Sequence, residues 1–180
     1  MSSTNRGTQR AGLDFYPTPD WCADVAIKTF GAGFTLDPCA GNGQLLRAIE
    51  RAGGCARGIE IQPDLAAQCP GMCHIGDGLA FSWRGESIIC NPPFANALEW
   101  MEKACREAEN AAFLVRLAML AGKKRKEFWE RNPPSSICIL SQRPSFTATG
   151  TDSADYMWVT WSYKRKGQPT QVAWLGGKEC

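Results

Sequence analysis

The tetrapeptide Asn91-Pro92-Pro93-Phe94 combines hydrogen-bond acceptors with an aromatic ring at the end of an apolar run. Residues 88–90 before it are typical of a buried strand, and because prolines cannot continue a strand ladder we expect the strand to end at Asn91. The side-chain oxygen of Asn91 and the backbone carbonyl of Pro92 could accept both hydrogens of a planar amino group. The segment therefore predicts a site for an aromatic amine, with a proline turn beside a core phenylalanine as the plainer alternative.

Such a site has the chemistry needed to methylate the exocyclic amino group of a nucleobase. This nitrogen is a poor nucleophile, because its lone pair is delocalised into the ring. Two fixed acceptors would stabilise the charge that develops on nitrogen and would aim the lone pair at a methyl donor, with no strong base needed before transfer. A base inside a duplex must first be extruded, and Phe94 could then stack on it. We therefore predict Asn91, Pro92, Pro93 and Phe94 as the catalytic segment.

A loop with two glycines, residues 37–43, follows the first predicted strand and precedes a predicted helix. In an open α/β sheet such a loop lies at the carboxyl end of a strand, where ligands bind, and its glycines allow the backbone to approach a ligand closely. Glu60 ends the next predicted strand, where a carboxylate suits the two hydroxyls of a ribose. Asp37 and Glu60 together therefore predict a cofactor that contains a nucleoside.

The charge of Asp37 separates two kinds of cofactor. A dinucleotide site would have a third glycine near Leu46, which is large and apolar, and would put the Asp37 carboxylate beside a pyrophosphate of like charge. A cationic ammonium group at that end removes the conflict, so we predict S-adenosyl-L-methionine as the cofactor. Asp77, after the following element, could accept a hydrogen bond from the adenine amino group or could serve only as a helix cap or turn residue.

An alternation of strands and helices must position these groups. The apolar runs predict strands over residues 34–37, 56–61, 88–91, 112–115 and 137–140, and the helical spacing of apolar side chains predicts helices after the glycine loop and over residues 97–108 and 122–131. Residues 156–163 and 171–175 are predicted as the aromatic strands of a hairpin around a basic turn. We therefore expect an α/β fold, a mostly parallel sheet closed by an antiparallel C-terminal hairpin.

Length and composition place these elements in one domain. With 180 residues, 44% hydrophobic and 21% charged, the chain is an ordinary globular protein. We expect a disordered tail over residues 1–12 and a single domain over residues 13–180. There is no apolar run of membrane-spanning length and no secretory signal, and the nine cysteines show no disulfide spacing, which favours reduced thiols in the cytoplasm. A net charge of +2 says little about partners, and the sequence carries no indication of oligomeric state.

In these motifs the chain resembles the DNA N6-adenine methyltransferases, most closely the small type found in phages and prophages. The resemblance implies a Rossmann-like class I S-adenosylmethionine-dependent methyltransferase fold, a seven-stranded sheet with a reversed C-terminal strand. It implies methyl transfer to the exocyclic N6 of adenine in DNA, in a bacterial host cell, and a role in protecting a phage genome from restriction. The segments that carry the resemblance span nearly the whole chain: residues 14–19, 37–43, Glu60, Asp77, 91–94, 143–147 and 155–158.

The resemblance also assigns the residues around the cofactor. Tyr16 and Thr18 would help to hold it, with Thr18 near its carboxylate end. Asp37, Gly41 and Gly43 would line the methionine part, Glu60 would bind the ribose and Asp77 the adenine. Pro38, Ala40 and Ile61 complete the predicted cofactor contacts.

In one respect the chain departs from that family, since no segment is long enough for a separate target-recognition domain. Basic residues that could contact DNA phosphates, which position a duplex without reading its sequence, are Lys123, Lys124, Arg125, Arg143, Lys164 and Arg165. A solvated helix face explains the basic residues 123–126 equally well. Cys69, Cys73 and His74 cluster, but they lack a fourth ligand for a structural zinc ion, so we expect no metal.

Five other interpretations stand against DNA adenine methylation. Protein-glutamine methyltransferases use the same Asn-Pro-Pro, but they carry a helical substrate domain ahead of the core, for which we expect too few residues here. RNA methylation is compatible with the core motifs, and a catalytically inactive binding module of the same fold is the alternative from another class. N4-cytosine enzymes rank lower because they usually have serine in place of Asn91. A C5-cytosine enzyme is rejected, because Cys39 lies inside the cofactor loop rather than at the substrate.

Overall fold

The protein is built on one mixed sheet. The structure, a computed structural model, describes residues 16–146 and 152–176, and the eight strands in these ranges are ordered β3-β2-β1-β4-β5-β7-β6-β8. All neighbouring strands are parallel except that β7 is antiparallel to both β5 and β6. The strands are β1 Leu36–Asp37, β2 Arg57–Glu60, β3 Cys73–Ile75, β4 Ser87–Cys90, β5 Asn110–Arg116, β6 Ser136–Leu140, β7 Tyr156–Ser162 and β8 Gln171–Leu175.

The strand order reverses between β1 and β4. The chain runs outward from β1 through β2 to β3 and then returns to place β4 on the other side of β1, with Leu36 opposite Ile88. The loops that leave β1 and β4 therefore diverge to opposite faces and leave a crevice at the carboxyl ends of these strands, the usual ligand position in open α/β sheets. Asp37 ends β1 and Asn91 follows β4, so both lie at this crevice.

Helices cover both faces of the sheet. Buried side chains of α1 and α2 pack with Ile89, while those of α4 and α5 pack with Ile88 and Cys90. Successive residues of β4 are thus buried on opposite faces, which explains why its sequence is continuously apolar rather than alternating. The helices are α1 Asp20–Phe30, α2 Gln44–Arg51, α3 Pro63–Ala66, α4 Ala97–Glu107 and α5 Lys123–Arg131.

The predicted C-terminal hairpin is wrong. β7 lies inside the sheet between β5 and β6, and β8 pairs in parallel with β6 at the outer edge. Met157, Trp158 and Val159 are fully buried, so β7 needs a neighbour on each side, whereas Val172 and Trp174 of β8 are exposed as an edge strand allows. The described sheet consequently has eight strands where the family resemblance implies seven. The predicted fold class, a mostly parallel sheet with a reversed C-terminal strand, is confirmed.

Three elements, α1, α3 and β3, had no counterpart among the predicted elements. The buried residues of α1 are Cys22, Ala23, Ala26 and Ile27, mostly small side chains that give a weak apolar periodicity. The predicted tail at residues 1–12, the motif residues 14 and 15, and residue 147 lie outside the described residues.

Candidate cofactor and substrate site

A cavity lies at the crevice between β1 and β4. It joins the glycine loop after β1, the end of β2, the segment after β4 and the N-terminal segment before α1. Two predicted sites, one for the cofactor and one for the substrate, are thus parts of a single cavity. Its lining residues are Tyr16, Thr18, Asp37, Cys39, Ala40, Gly41, Gln44, Leu45, Glu60, Ile61, Gln62, Asn91, Pro92 and Pro93.

The glycine loop is anchored by backbone hydrogen bonds. The Ala40 N–H donates to the Ile59 carbonyl at 2.9 Å, and the Gly43 N–H donates to the Ala40 carbonyl at 2.8 Å. Gly41 and Gly43 have φ angles of 55° and 85°, a left-handed backbone that favours glycine. These contacts turn the chain into α2 while the backbone at Gly41 faces the cavity.

Glu60 connects two loops at the cavity. Its side chain is only 4% exposed. One carboxylate oxygen accepts from the Gly41 N–H at 2.8 Å, and the other accepts from the Gln62 N–H at 2.8 Å. Both oxygens are therefore held in place at the end of β2, in the orientation that two backbone donors impose.

Asp37 is a buried carboxyl group with an elevated pKa. Its side chain is 1% exposed and accepts one hydrogen bond, from the Cys39 N–H at 3.1 Å. Burial raises the pKa of Asp37 to about 7; the hydrogen bond from Cys39 opposes the rise, and the charge of Glu60 adds to it. Two acidic groups so close together favour a cationic ligand, which would stabilise the ionised form of Asp37.

The Asn91 side chain is oriented by the N-terminal segment. Its amide nitrogen donates to the Tyr16 carbonyl at 3.0 Å and to the Thr18 hydroxyl at 3.2 Å. Because a backbone carbonyl can only accept, the nitrogen must face Tyr16 and the oxygen must point the other way. That oxygen is buried and has no hydrogen-bond partner among the described residues. A buried acceptor left unpaired costs about 1–3 kcal/mol, which a donor from a ligand would recover.

Phe94 lies next to the cavity in a cluster of aromatic rings. Its ring centroid is 5.2 Å from that of Tyr16, 5.7 Å from that of Phe146 and 5.6 Å from that of Tyr156. The ring is half-buried, so part of it is open beside the segment that carries Asn91. This arrangement provides an aromatic surface next to the segment that carries Asn91.

Arg116, which the sequence analysis missed, completes this surface. Its guanidinium lies over the Phe94 ring, 4.7 Å from the centroid, and its Nε donates to the Tyr156 hydroxyl at 3.2 Å. Arg116 ends β5, the neighbour of β4, so its position at the carboxyl end of a strand was the signal that could have found it.

Three predicted cofactor residues do not line the cavity. Gly43 packs against another loop, since a Cβ there would lie 2.6 Å from the Pro70 side chain. The Pro38 carbonyl packs against Gly78, where a Cβ would lie 1.9 Å from the oxygen. Asp77 is exposed and accepts a hydrogen bond from the Leu79 N–H at 2.9 Å, so it caps a short 3-10 helix, Gly78–Ala80. Its contact with adenine stays a prediction.

Four lining residues were not predicted. Gln44 and Leu45 form the start of α2, and Gln62 follows the strand-ending Glu60. Each lies within two positions of a predicted site residue, and Cys39 lies inside the predicted loop. The turn of the chain into α2 and α3 brings them to the cavity.

The predicted basic residues occupy two opposite edges of the sheet. α5, which carries Lys123, Lys124 and Arg125, begins shortly after β5 at the carboxyl edge, and Arg143 follows β6 at the same edge, paired with Asp155 at 2.8 Å. The Arg125 guanidinium donates hydrogen bonds to the Ala118 and Ala121 carbonyls. Lys164 and Arg165 follow β7, which runs antiparallel to β5. They therefore lie at the edge where the parallel strands begin, about 20 Å from the carboxyl edge. They are therefore not part of the surface around Asn91.

Two further observations concern the same ranges of the chain. Within residues 16–146 and 152–176, no three His, Cys, Asp or Glu side chains are grouped so that they could hold a metal ion. No helix in the described part is long and apolar enough to cross a membrane.

The fold matches solved methyltransferases. A Listeria monocytogenes protein assigned as a class I S-adenosylmethionine-dependent methyltransferase has a TM-score of 0.67 and 17% identity, covering 93% of this chain and 68% of that one. A modification subunit assigned to a type I restriction enzyme of Vibrio vulnificus YJ016 has a TM-score of 0.61 and 16% identity, covering 87% of this chain and 45% of that one. A Pyrococcus horikoshii protein assigned as an RNA methyltransferase has a TM-score of 0.63 and 18% identity, covering 89% of this chain and 94% of that one.

These likenesses define the class of fold. The chain has the α/β fold of the class I S-adenosylmethionine-dependent methyltransferases. The cofactor named for the Listeria neighbour agrees with the cofactor predicted from Asp37 and Glu60. This chain spans less than half the length of the modification subunit. No protein-family model matches the sequence, and no curated protein matches it.

Proposed function

We propose that this protein transfers a methyl group from S-adenosyl-L-methionine to the exocyclic N6 of adenine in DNA. The observation that carries the proposal is the Asn91 side-chain oxygen, which is buried, oriented by Tyr16 and Thr18, and unpaired among the described residues. An acceptor in that state suits a ligand that donates a hydrogen bond, as the amino groups of adenine and cytosine do and the keto group of thymine does not. The choice of adenine rests on the resemblance of the motif at residues 91–94.

The acidic half of the cavity fits the proposed cofactor. Asp37 would pair with its ammonium group, because a cation beside this buried carboxyl would favour the ionised form. Glu60, fixed by two backbone donors, would accept from the ribose hydroxyls. When bound, S-adenosyl-L-methionine supplies an electrophilic methyl group on a positively charged sulfur.

The other half of the cavity would activate the substrate amine. Asn91 and the Pro92 carbonyl would bind the two N6 hydrogens, which orients the lone pair and stabilises positive charge on the nitrogen. Phe94 would stack on the extruded base, and the aromatic rings behind it would keep water away. The surplus proton becomes acidic as the new N–C bond forms, so it can pass to solvent without a dedicated base.

DNA as the polymer is supported by the resemblance of the motifs and by the presence of a restriction-modification subunit among the fold neighbours. An enzyme of this kind would act in the cytoplasm of a bacterial cell, on host or phage DNA. Lys123, Lys124 and Arg143 lie at the carboxyl edge of the sheet, the same edge as Asn91, where they could contact the phosphates of a bound duplex.

The test is transfer of labelled methyl from S-adenosyl-L-methionine to genomic DNA, followed by nucleoside analysis. We expect label in N6-methyladenine with the wild-type protein and about 10²–10³-fold slower labelling with Asn91→Ala. Label in RNA or in protein glutamine, with unlabelled DNA, would refute DNA as the substrate and identify the labelled polymer in its place. A protein that binds the cofactor but labels no polymer would be a binding module of the same fold.

A further inference from the structure

Arg116 is a charged side chain in an unusual position. It ends β5 at the carboxyl edge of the sheet, next to the strand that carries Asn91, and its side chain is 45% exposed. It lies beside the candidate site rather than on a remote surface, because its guanidinium contacts the ring of Phe94. No role in cofactor binding follows from this place, since Arg116 does not line the cavity.

The guanidinium is held in one orientation. Its Nε donates to the Tyr156 hydroxyl, which in turn donates to Asp152 at 2.6 Å. The Nη2 atom of Arg116 is 3.6 Å from the same Asp152 oxygen, and Phe94 supports the face of the guanidinium. A fixed planar fork loses less entropy on binding than a free side chain, so this arrangement favours ligand binding by Arg116.

Some N–H groups of the guanidinium have no acceptor among the described residues. Nη1 makes no hydrogen bond to any described residue. Asp152 is shared with Tyr156, so the ion pair with Arg116 is a single long contact. The free N–H groups of an arginine suit two acceptor oxygens on one tetrahedral or planar anion, above all a phosphate.

Phe94 links this fork to Asn91. Phe94 belongs to the tetrapeptide that begins with Asn91, and Arg116 rests on its ring. In a polynucleotide the phosphate is separated from the base by one sugar. A base bound at Asn91 and stacked on Phe94 would have its flanking phosphate one sugar away, and Arg116 is a cation in contact with the same ring. A glutamine side chain of a protein substrate has no anionic group there.

We propose that Arg116 binds the phosphate that flanks the target nucleotide, which makes this site specific for polynucleotides. The proposal rests on the proposed function, because it takes Asn91 and Phe94 as the position of the target base. The competing explanation is that Arg116 only supports the Phe94 ring. The two explanations predict different salt dependences of DNA binding, since a phosphate contact releases counterions and a packing contact does not.

The experiment measures binding of a fluorescein-labelled, adenine-containing duplex as a function of salt, for the wild type, Arg116→Gln, Arg116→Lys and Arg84→Gln. Arg84 is exposed in the loop before β4, at the opposite edge of the sheet, so it is the matched loss of one charge. We expect Arg116→Gln to bind about tenfold more weakly and to reduce the slope of log K against log salt by about 0.9. Arg84→Gln should leave the slope unchanged, and Arg116→Lys should retain it with lower affinity.

The outcomes separate the explanations. Weaker binding by Arg116→Gln with an unchanged slope, or a slope lost equally in Arg84→Gln, would overturn the phosphate contact. If Arg116→Gln does not fold, Arg116→Met, which keeps the apolar stem and removes the charge, replaces it; a reduced slope then supports the proposal and an unchanged slope overturns it. The methyl-transfer assay is read independently, so absence of N6-methyladenine would refute the proposed function even where the slope changes as expected.

Discussion

The Asn91 side-chain amide donates a hydrogen bond to the Thr18 hydroxyl at 3.2 Å, across 73 positions of the chain. Thr18 is buried and precedes α1, whereas Asn91 follows β4 in the middle of the sheet. The bond holds the amide nitrogen toward the N-terminal segment, and the amide oxygen has no hydrogen-bond partner among the described residues. The N-terminal segment therefore orients the residue that we propose to bind the substrate.

Thr18→Val should reduce the rate of methyl transfer while Thr18→Ser should not. Valine has nearly the same shape but cannot accept the bond from Asn91, and one hydrogen bond contributes about 0.5–1.5 kcal/mol, a factor of roughly two to ten in rate. The measurement is the single-turnover rate at saturating cofactor and DNA. An unchanged rate with weaker cofactor binding would place Thr18 in the cofactor site instead, as the family resemblance implies.

Asn91→Ala should lower the transfer rate by about 10²–10³-fold, the usual cost of losing one preorganised electrostatic contact. Cofactor affinity, measured by calorimetry, should change little, because the two acidic groups expected to bind the ammonium and the ribose, Asp37 and Glu60, lie on β1 and β2. Equal losses of affinity and rate would show that Asn91 is structural.

Glu60→Ala should weaken cofactor binding at least tenfold and also lower the thermal midpoint. The substitution removes the expected ribose acceptor and leaves the Gly41 and Gln62 N–H groups without their partner. Glu99→Ala, on the exposed side of α4, is the matched control and should change neither quantity. Unchanged affinity in Glu60→Ala would refute the ribose assignment.

Cofactor affinity should rise with pH between about 5.5 and 7.5. The pKa of Asp37 is raised to about 7 in the empty site, and only the ionised carboxyl attracts an ammonium group. Calorimetry with S-adenosylhomocysteine, which carries the same ammonium, should show this rise, and Asp37→Asn should remove it. A flat profile in the wild type would contradict the pairing.

The same pKa predicts an unusual effect of pH on stability. The folded protein holds the Asp37 proton more tightly than the unfolded chain, whose ordinary value is 3.8. The contribution of Asp37 to stability is therefore fully present below about pH 4 and is lost as pH rises through about 7. Urea unfolding of the wild type and Asp37→Asn across this range should show a difference that grows with pH in favour of the variant.

Gly78→Ala should destabilise the protein by about 1–3 kcal/mol, since its Cβ would lie 1.9 Å from the Pro38 carbonyl in the cofactor loop. Gly33→Ala is the control, because a Cβ there meets no atom within 4 Å. The two variants are compared by urea unfolding, and equal stability would mean that the loop shifts freely. Such a shift should then appear as altered cofactor affinity in Gly78→Ala alone.

Several parts of this structure could be predicted because their causes lie close together in sequence. Residues 88–90 are apolar and followed by two prolines, so the strand had to end at Asn91, as it does within one residue. α1 could not be predicted in the same way, because its buried side chains are mostly small. The hairpin prediction failed at β7 because a strand's choice of neighbours depends on segments far away in the chain, here β5 and β6.

By itself the sequence determined the chemistry of the strand ends, an amide with prolines and an aromatic ring after β4, and carboxylates at the ends of β1 and β2. Each of these depends on adjacent residues and on the rule that parallel strands present their carboxyl ends at one edge. Only the tertiary structure decided which distant groups meet them. Thr18 orients Asn91, and Arg116 covers Phe94, because the order β1-β4-β5 brings these segments together. No local pattern encodes such contacts, since the free energy that forms them comes from packing across the whole sheet.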